Sequence, residues 1–134
     1  MDKFYLLDTD LVLKIHRELM EKYNSNAEIR DIKLLESAIN GVKNYQIYND
    51  NSSIYDLAAA YCFYLCKNHA FIDGNKRIAF FVMAYFLRYH DYKIIADSKD
   101  SISMVKKVAQ GKIKINDISD WLKDNTISNN NKFN

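Results

Sequence analysis

Hydrophobic positions along this chain recur at helical spacing far more often than at strand spacing. Leu11, Ile15, Leu19 and Tyr23 return every fourth residue behind the polar cluster Asp8, Thr9 and Asp10, which predicts a capped amphipathic helix. A second, shorter helix is expected to start at Asp31, run through Ile32, Leu35 and Ile39, and stop at Gly41, where glycine tolerates a left-handed cap. Residues 43–53 set Tyr45, Ile47 and Tyr48 among Asn and Asp without a helical period and read as an exposed loop or flap. From Ser53 the spacing Ile54, Leu57, Ala58, Tyr61, Leu65 is helical again, and residues 58–66 are apolar nearly all round. Such a helix is central, and it should end near Asn68. Gly74 then breaks the chain, and a second central helix is expected from about Asn75 to Tyr89, since residues 78–87 again lack a polar face. Residues 92–96 read as a short strand pairing with residues 4–7. Ile102, Val105, Val108 and Ala109 mark a helix ending at Gly111, and Ile118, Trp121 and Leu122 mark another, capped by Asn116. With no proline, repeat or linker, the economical architecture is one all-α domain of about six helices with one very short β pairing, over residues 1–126, followed by a disordered tail at 127–134.

Composition narrows the function classes. At 134 residues the chain is large enough for one real core and one main site. Nineteen cations against 17 anions are too evenly balanced for a strong nucleic-acid footprint, and basic and aromatic residues are not interleaved on one element, so no direct nucleic-acid binding is expected. Asp2 and Asp8 interrupt the short apolar run at the start of the chain, so no signal peptide is expected there. The longest uninterrupted apolar run, residues 78–87, is about half the roughly 20 residues of a membrane span, so no membrane partner is expected. Cys62 and Cys66 fall one turn apart on an apolar segment and read as free thiols in a reducing cytoplasm, because a metal pair would need further soft ligands.

The chemistry should lie in the connection between the two most buried helices. His69-Ala70-Phe71-Ile72-Asp73-Gly74-Asn75-Lys76-Arg77 puts an imidazole, a carboxylate, a glycine turn, an amide and two cations against what must be core. Charge at a core's edge is costly without a partner or a ligand. A glycine turn before a helix leaves the first helical amides pointing outward, and with Lys76 and Arg77 they make a phosphate cradle, though not of the Gly-x-x-x-x-Gly-Lys-Ser/Thr kind. Asp73 suits magnesium bridging to phosphates, and His69 suits a general base near neutral pH. Taken singly, each residue has a plainer explanation: His69 a helix end, Asp73 a turn former, Lys76 and Arg77 a solvated first turn, Phe71 and Ile72 packing. Their joint occurrence in one short segment favours the functional reading.

That segment resembles the signature of the Fic/Doc superfamily, H-x-F-x-[DE]-[GA]-N-[GK]-R, in the form found in its Doc (death-on-curing toxin) branch. The likeness extends to Ile29-Arg30-Asp31 and Leu34-Leu35-Glu36-Ser37-Ala38 upstream, to Ala58-Ala59-Ala60-Tyr61 and Lys67-Asn68, and to Ala109-Gln110-Gly111 and Asp120-Trp121-Leu122 downstream, covering roughly residues 4–123. The resemblance implies an all-helical fold and nucleotide-dependent modification of a protein hydroxyl. It makes His69 the base that deprotonates a target Ser, Thr or Tyr, Asp73 the magnesium ligand, and Gly74, Asn75, Lys76 and Arg77 the phosphate-binding residues. It also makes the stretch containing Tyr45, Gln46, Ile47 and Tyr48 a flap that aligns the target by extended backbone pairing.

Two directions of transfer stay open. Fic proteins proper usually carry Gly where this chain has Lys76, and they transfer AMP from ATP. A lysine in the anion hole would compete with one end of the triphosphate and turn the γ-phosphate toward His69, as the resemblance to Doc implies: a kinase that phosphorylates a threonine of elongation factor Tu and stops translation. Fic-type AMP transfer is the alternative, and a catalytically silent nucleotide-binding module the second. The inhibitory sequence Ser/Thr-x-x-x-Glu common in Fic enzymes is absent here, because the residues four before Glu18, Glu21, Glu28 and Glu36 are Lys14, Arg17, Asn24 and Ile32. The resemblance therefore implies inhibition in trans by a cognate antitoxin, with ATP and Mg2+ as cofactors.

Overall fold

The computed structural model describes residues 4–129. Its elements are α1 (Thr9–Lys22), α2 (Ile32–Tyr48), α3 (Ile54–Asn68), α4 (Asn75–Tyr89), β1 (Tyr92–Ile94), α5 (Ser98–Ala109), α6 (Ile115–Asn125) and β2 (Thr126–Ser128). The all-α expectation holds: six helices and one tiny antiparallel ribbon. α3 is the axle, packed against α2, α4, α5 and α6. Residues 57–62 of it are wholly buried, as an all-round apolar segment requires. Ser53 opens α3 with a capping box, its hydroxyl accepting from the Asp56 amide while the Asp56 carboxylate accepts from the Ser53 amide. The second oxygen of Asp56 accepts from the Ser119 hydroxyl at 2.7 Å, which ties α6 to the start of α3.

Several expectations are corrected. α2 does not stop at Gly41 but continues to Tyr48, because Gly41 is a packing glycine: a Cβ there would sit 3.0 Å from the Tyr64 ring of α3. The stretch 43–53 is therefore mostly helix. Only residues 49–53 form the turn. β1 does not pair with residues 4–7; it pairs with β2 in the register Tyr92↔Ser128, Lys93↔Ile127, Ile94↔Thr126. Residues 4–7 are instead pinned one by one. Gln46 donates to the Phe4 carbonyl, His90 bonds the Tyr5 carbonyl, and the Tyr61 hydroxyl both accepts from Leu7 N and donates to Leu7 O. Burial of that hydroxyl pushes its ionisation far up. The buried stripe of α1 is Val12, His16, Leu19 and Met20, so it is rotated from the expected one, and Tyr23 lies half exposed at the C-cap. Asn116 lies inside α6 rather than capping it; the Asp117 carboxylate accepts from Lys114 N instead. The expected tail is ordered through β2 at 127 and 128, and residues 130–134 lie outside the described residues. Cys62 and Cys66 are buried free thiols, and a hydrogen bond to Cys66, together with burial, pushes the Cys62 thiol up. Among the described residues no helix is long and apolar enough to cross a membrane.

Candidate active site

The connection between α3 and α4 is built inward from both ends. His69 closes α3 in the left-handed conformation, φ 51° and ψ 53°. A non-glycine residue there is strained by about 1 kcal/mol or more unless its surroundings hold it. Arg30 does so, its Nε donating to the His69 carbonyl at 2.9 Å and its Nη2 at 2.6 Å, with a longer bond to the Asn68 carbonyl. Arg30 thus satisfies the end of α3 and makes no ion pair among the described residues. The backbone on either side of Arg30 lies along the connection as an antiparallel bridge, Ile29↔Phe71, with Arg30 N and Asp31 N both donating to Ala70 O and Ile72 N to Glu28 O. Phe71 is buried, whereas Ile72 is half exposed and does not pack as expected.

Asn75 departs from its expected role. It is 7% exposed, and its amide faces inward, Oδ1 accepting from Phe71 N at 3.1 Å and Nδ2 donating to Phe71 O at 2.8 Å. The Asn75 side chain clamps the turn rather than reaching phosphate; only its backbone amide is open to a ligand. Gly74 stands at φ 77°, and a Cβ there would strike Met20 of α1, 2.7 Å from its sulfur and nearer still to its methyl. Glycine is needed here on both counts.

His16 of α1 is 1% exposed beneath the turn. Its Nε2 donates to the Asp73 carbonyl at 3.0 Å, since a carbonyl can only accept, and its ring stacks on Phe71 with centroids 3.6 Å apart. Burial lowers its pKa, partly offset by the Asp73 carbonyl and carboxylate. The available signal was a histidine on the apolar Val12, Leu19, Met20 face. His90, by contrast, closes the C-terminal end of α4.

The outward face carries the charge. α1, α2, α3 and α5 each begin with an Asp or Ser side chain accepting from a first-turn amide, whereas α4 begins at Gly74 with no side-chain cap. The amides of Asn75, Lys76 and Arg77 are therefore open at the positive end of the helix dipole. Lys76, Arg77, Asp73 and His69 are exposed, and none takes part in an ion pair among the described residues. Arg77 lies over the Tyr23 ring at 4.1 Å, a cation–π contact that steadies the guanidinium without neutralising it. Asp73 Oδ1 accepts from Gly74 N at 2.8 Å. A cavity of about 820 Å3 opens at this helix end, lined by Asp73, Gly74, Lys76 and Arg77 and continuing past Phe80 to Ile94. Its size suits a small ligand. His69 is not part of its wall. Its exposed imidazole makes no hydrogen bond among the described residues.

The flap expectation is corrected by the fold. Tyr45, Gln46, Ile47 and Tyr48 form the last turn of α2, whose amides are spent within the helix, so this backbone lacks the alternating donors and acceptors that pairing with an extended segment needs. Gln46 is buried, Tyr48 is 82% exposed, and none of the four lines the cavity.

Comparison with known proteins bears on the same region. The curated protein "Protein kinase doc" of Escherichia phage P1 is 23% identical over 112 residues, covering 84% of this chain and 88% of its own length. The model of the Fic/DOC family matches residues 6–87, a span that takes in α1 to α3 and most of α4. With both central helices and their connection inside a match covering more than half of its length, the chain belongs to the Fic/DOC family of nucleotide-dependent transferases.

Proposed function

We propose that this protein is the toxin of a type II toxin–antitoxin pair, a Doc-like kinase that moves the γ-phosphoryl group of ATP onto a protein hydroxyl, with a threonine of elongation factor Tu as target. The observation that carries this reading is the unneutralised cradle. Two cations and the open amides at the start of α4 end a short connection whose other end carries an exposed imidazole with no hydrogen bond among the described residues. The similarity to a protein named as a kinase supports phosphoryl transfer, and so does Lys76, at the position where the resemblance implies that AMP-transferring Fic proteins usually carry Gly.

In this reading His69 accepts the proton of the target hydroxyl as its oxygen bonds to the γ-phosphorus. The bond from that phosphorus to the β–γ bridging oxygen breaks, and ADP leaves. Lys76, Arg77 and the α4 amides stabilise charge on the phosphates, which is most of the protein's task in such a reaction. Asp73 fits magnesium, because its carboxylate is exposed with one oxygen free of hydrogen bonds. No group of three ligating side chains surrounds it among the described residues, which suits a metal that takes most of its ligands from phosphates and water. Magnesium, when bound, neutralises phosphate charge. A cognate antitoxin restrains the site in trans, by a glutamate directed to Arg77.

The test supplies ATP labelled separately at the α and γ phosphates to the protein with magnesium and translation extract. Label passing from γ alone into elongation factor Tu is expected. Label from α makes the protein an AMP transferase, and no transfer by wild type or His69→Ala makes it a silent nucleotide-binding module.

A further inference from the structure

His16 belongs to α1, distant in sequence from the connection, yet it is the buried side chain that touches the backbone of the proposed metal ligand. The peptide joining Asp73 to Gly74 is trans, so its carbonyl and its N–H point to opposite edges. The carbonyl edge faces inward, to His16 Nε2 at 3.0 Å. The N–H edge faces the other way and donates to the carboxylate of Asp73 at 2.8 Å. The orientation of one peptide plane therefore decides where that carboxylate rests. Glycine on the C-terminal side leaves this plane intrinsically free to turn over, because Gly74 accepts backbone conformations that other residues do not. A fixed donor on the inner edge removes that freedom.

The imidazole is built to be such a donor. It stacks on Phe71 at 3.6 Å with an interplanar angle of 14°, and Phe71 is itself held at both N and O by Asn75. Met20, one turn further along α1, fills the space a Cβ at Gly74 would need. We propose that His16 is a positioning residue for the metal site: through its Nε2–H to the Asp73 carbonyl it fixes the 73–74 peptide and so aims the Asp73 carboxylate at the magnesium that accompanies the nucleotide. This rests on the reading of Asp73 as the magnesium ligand. His16 touches neither metal nor nucleotide and acts only through Asp73. Residues that orient a metal ligand typically change metal affinity by roughly 10- to 100-fold when lost.

The experiment is calorimetric titration of the full chain with a non-hydrolysable ATP analogue, in EDTA and across a magnesium series, for wild type, His16→Phe, His16→Gln and Asp73→Asn. Phenylalanine keeps the stack on Phe71 and removes the donor; glutamine carries an N–H near the place of Nε2. His16→Phe is expected to need roughly tenfold more magnesium for the same affinity, with binding in EDTA unchanged, and His16→Gln to recover most of the loss. Combined with Asp73→Asn, His16→Phe should add nothing. If His16→Phe keeps the wild-type magnesium dependence, or weakens binding equally with and without metal, the proposal is overturned. Should Asp73→Asn also keep that dependence, the metal reading of Asp73 falls, and this proposal with it; loss in Asp73→Asn alone removes only the role of His16. A measurement needing no variant stands beside these. Nitrogen-15 NMR of the wild-type imidazole should find His16 neutral with its proton on Nε2, and a proton on Nδ1 alone would overturn the bond on which the proposal depends.

Discussion

The inner and outer faces of the 69–77 connection differ in almost every physical respect. Phe71, Asn75 and the backbone of Asp73 face inward: His16 of α1 meets the Phe71 ring and the Asp73 carbonyl, and Asn75 holds the Phe71 backbone at both N and O. His69, Asp73, Lys76 and Arg77 carry their ionisable groups outward, unpaired by one another. The inner face uses neutral polar groups, each fully satisfied, and these make a short loop rigid without burying charge. The outer face is left short of partners on a rigid mount, the arrangement that suits a ligand bringing the missing charge. Changes on the outer face should therefore alter chemistry without stability, and changes on the inner face should alter both.

The sharpest test of that division is His69→Ala. A general base contributes about 10^2- to 10^4-fold to rate, so phosphoryl transfer should fall by about 10^3 in a single-turnover assay. Because the imidazole is exposed and makes no hydrogen bond among the described residues, the denaturation midpoint should not fall. A marked loss of stability would mean that the ring supports the loop, and the two faces would not be separate.

Gly74→Ala tests the inner face at its tightest point. A methyl group there meets Met20 and forces a side chain into the left-handed region, together worth about 3 kcal/mol. Urea denaturation should register this, and nucleotide affinity should fall with it, because the same turn opens the α4 amides. Trimming the obstacle with Met20→Ala in the same chain should not restore stability, since it leaves the positive φ strained and opens a cavity in the core.

Asn75→Ala comes next. It leaves Phe71 N and O unsatisfied in a buried place, at a cost of about 2 kcal/mol. If the Asn75 side chain bound phosphate instead, the substitution would weaken nucleotide binding while leaving stability alone. The ratio of the two effects distinguishes clamp from ligand.

How much of this was readable in advance depended on whether an element's reasons were local. α3 and α4 were legible because an apolar segment without a polar face has few alternatives to a central helix, and the connection was legible because its residue types are unusual together. What was missed had distant causes. Gly41 reads as a stop signal, but it is there because Tyr64 lies against it from another helix. A strand as short as β1 carries no register, so its partner could not be chosen, and residues 4–7 were already engaged by Gln46, Tyr61 and His90. Asn75 is the exception: its clamp on Phe71 is local, four residues away, but the first residue of a helix can turn its side chain either way, and residue type alone does not choose. His16 could have been found only by noticing that it shares a face with Val12 and Leu19.

The smallest expected effect is a pH dependence that belongs to the inner face alone. Burial holds the pKa of His16 below its ordinary value of 6.5, so the folded protein resists a proton that the unfolded chain accepts. Its contribution to stability is full above the unfolded pKa and is lost as pH falls below about 6.5 toward the lower folded value. One such proton changes stability by at most about 1.4 kcal/mol per pH unit. The quantity to measure is the difference between wild type and His16→Phe, taken from urea midpoints at intervals between pH 5 and pH 8, because every other group contributes alike to both. That difference should shrink as the solution is acidified, because wild type alone gives up the stability of a buried neutral imidazole. A difference that grows on acidification would mean that folding favours imidazolium at this position, with the carboxylate of Asp73 outweighing burial. The inner face would then hold charge after all, and the contrast between the two faces would have to be redrawn.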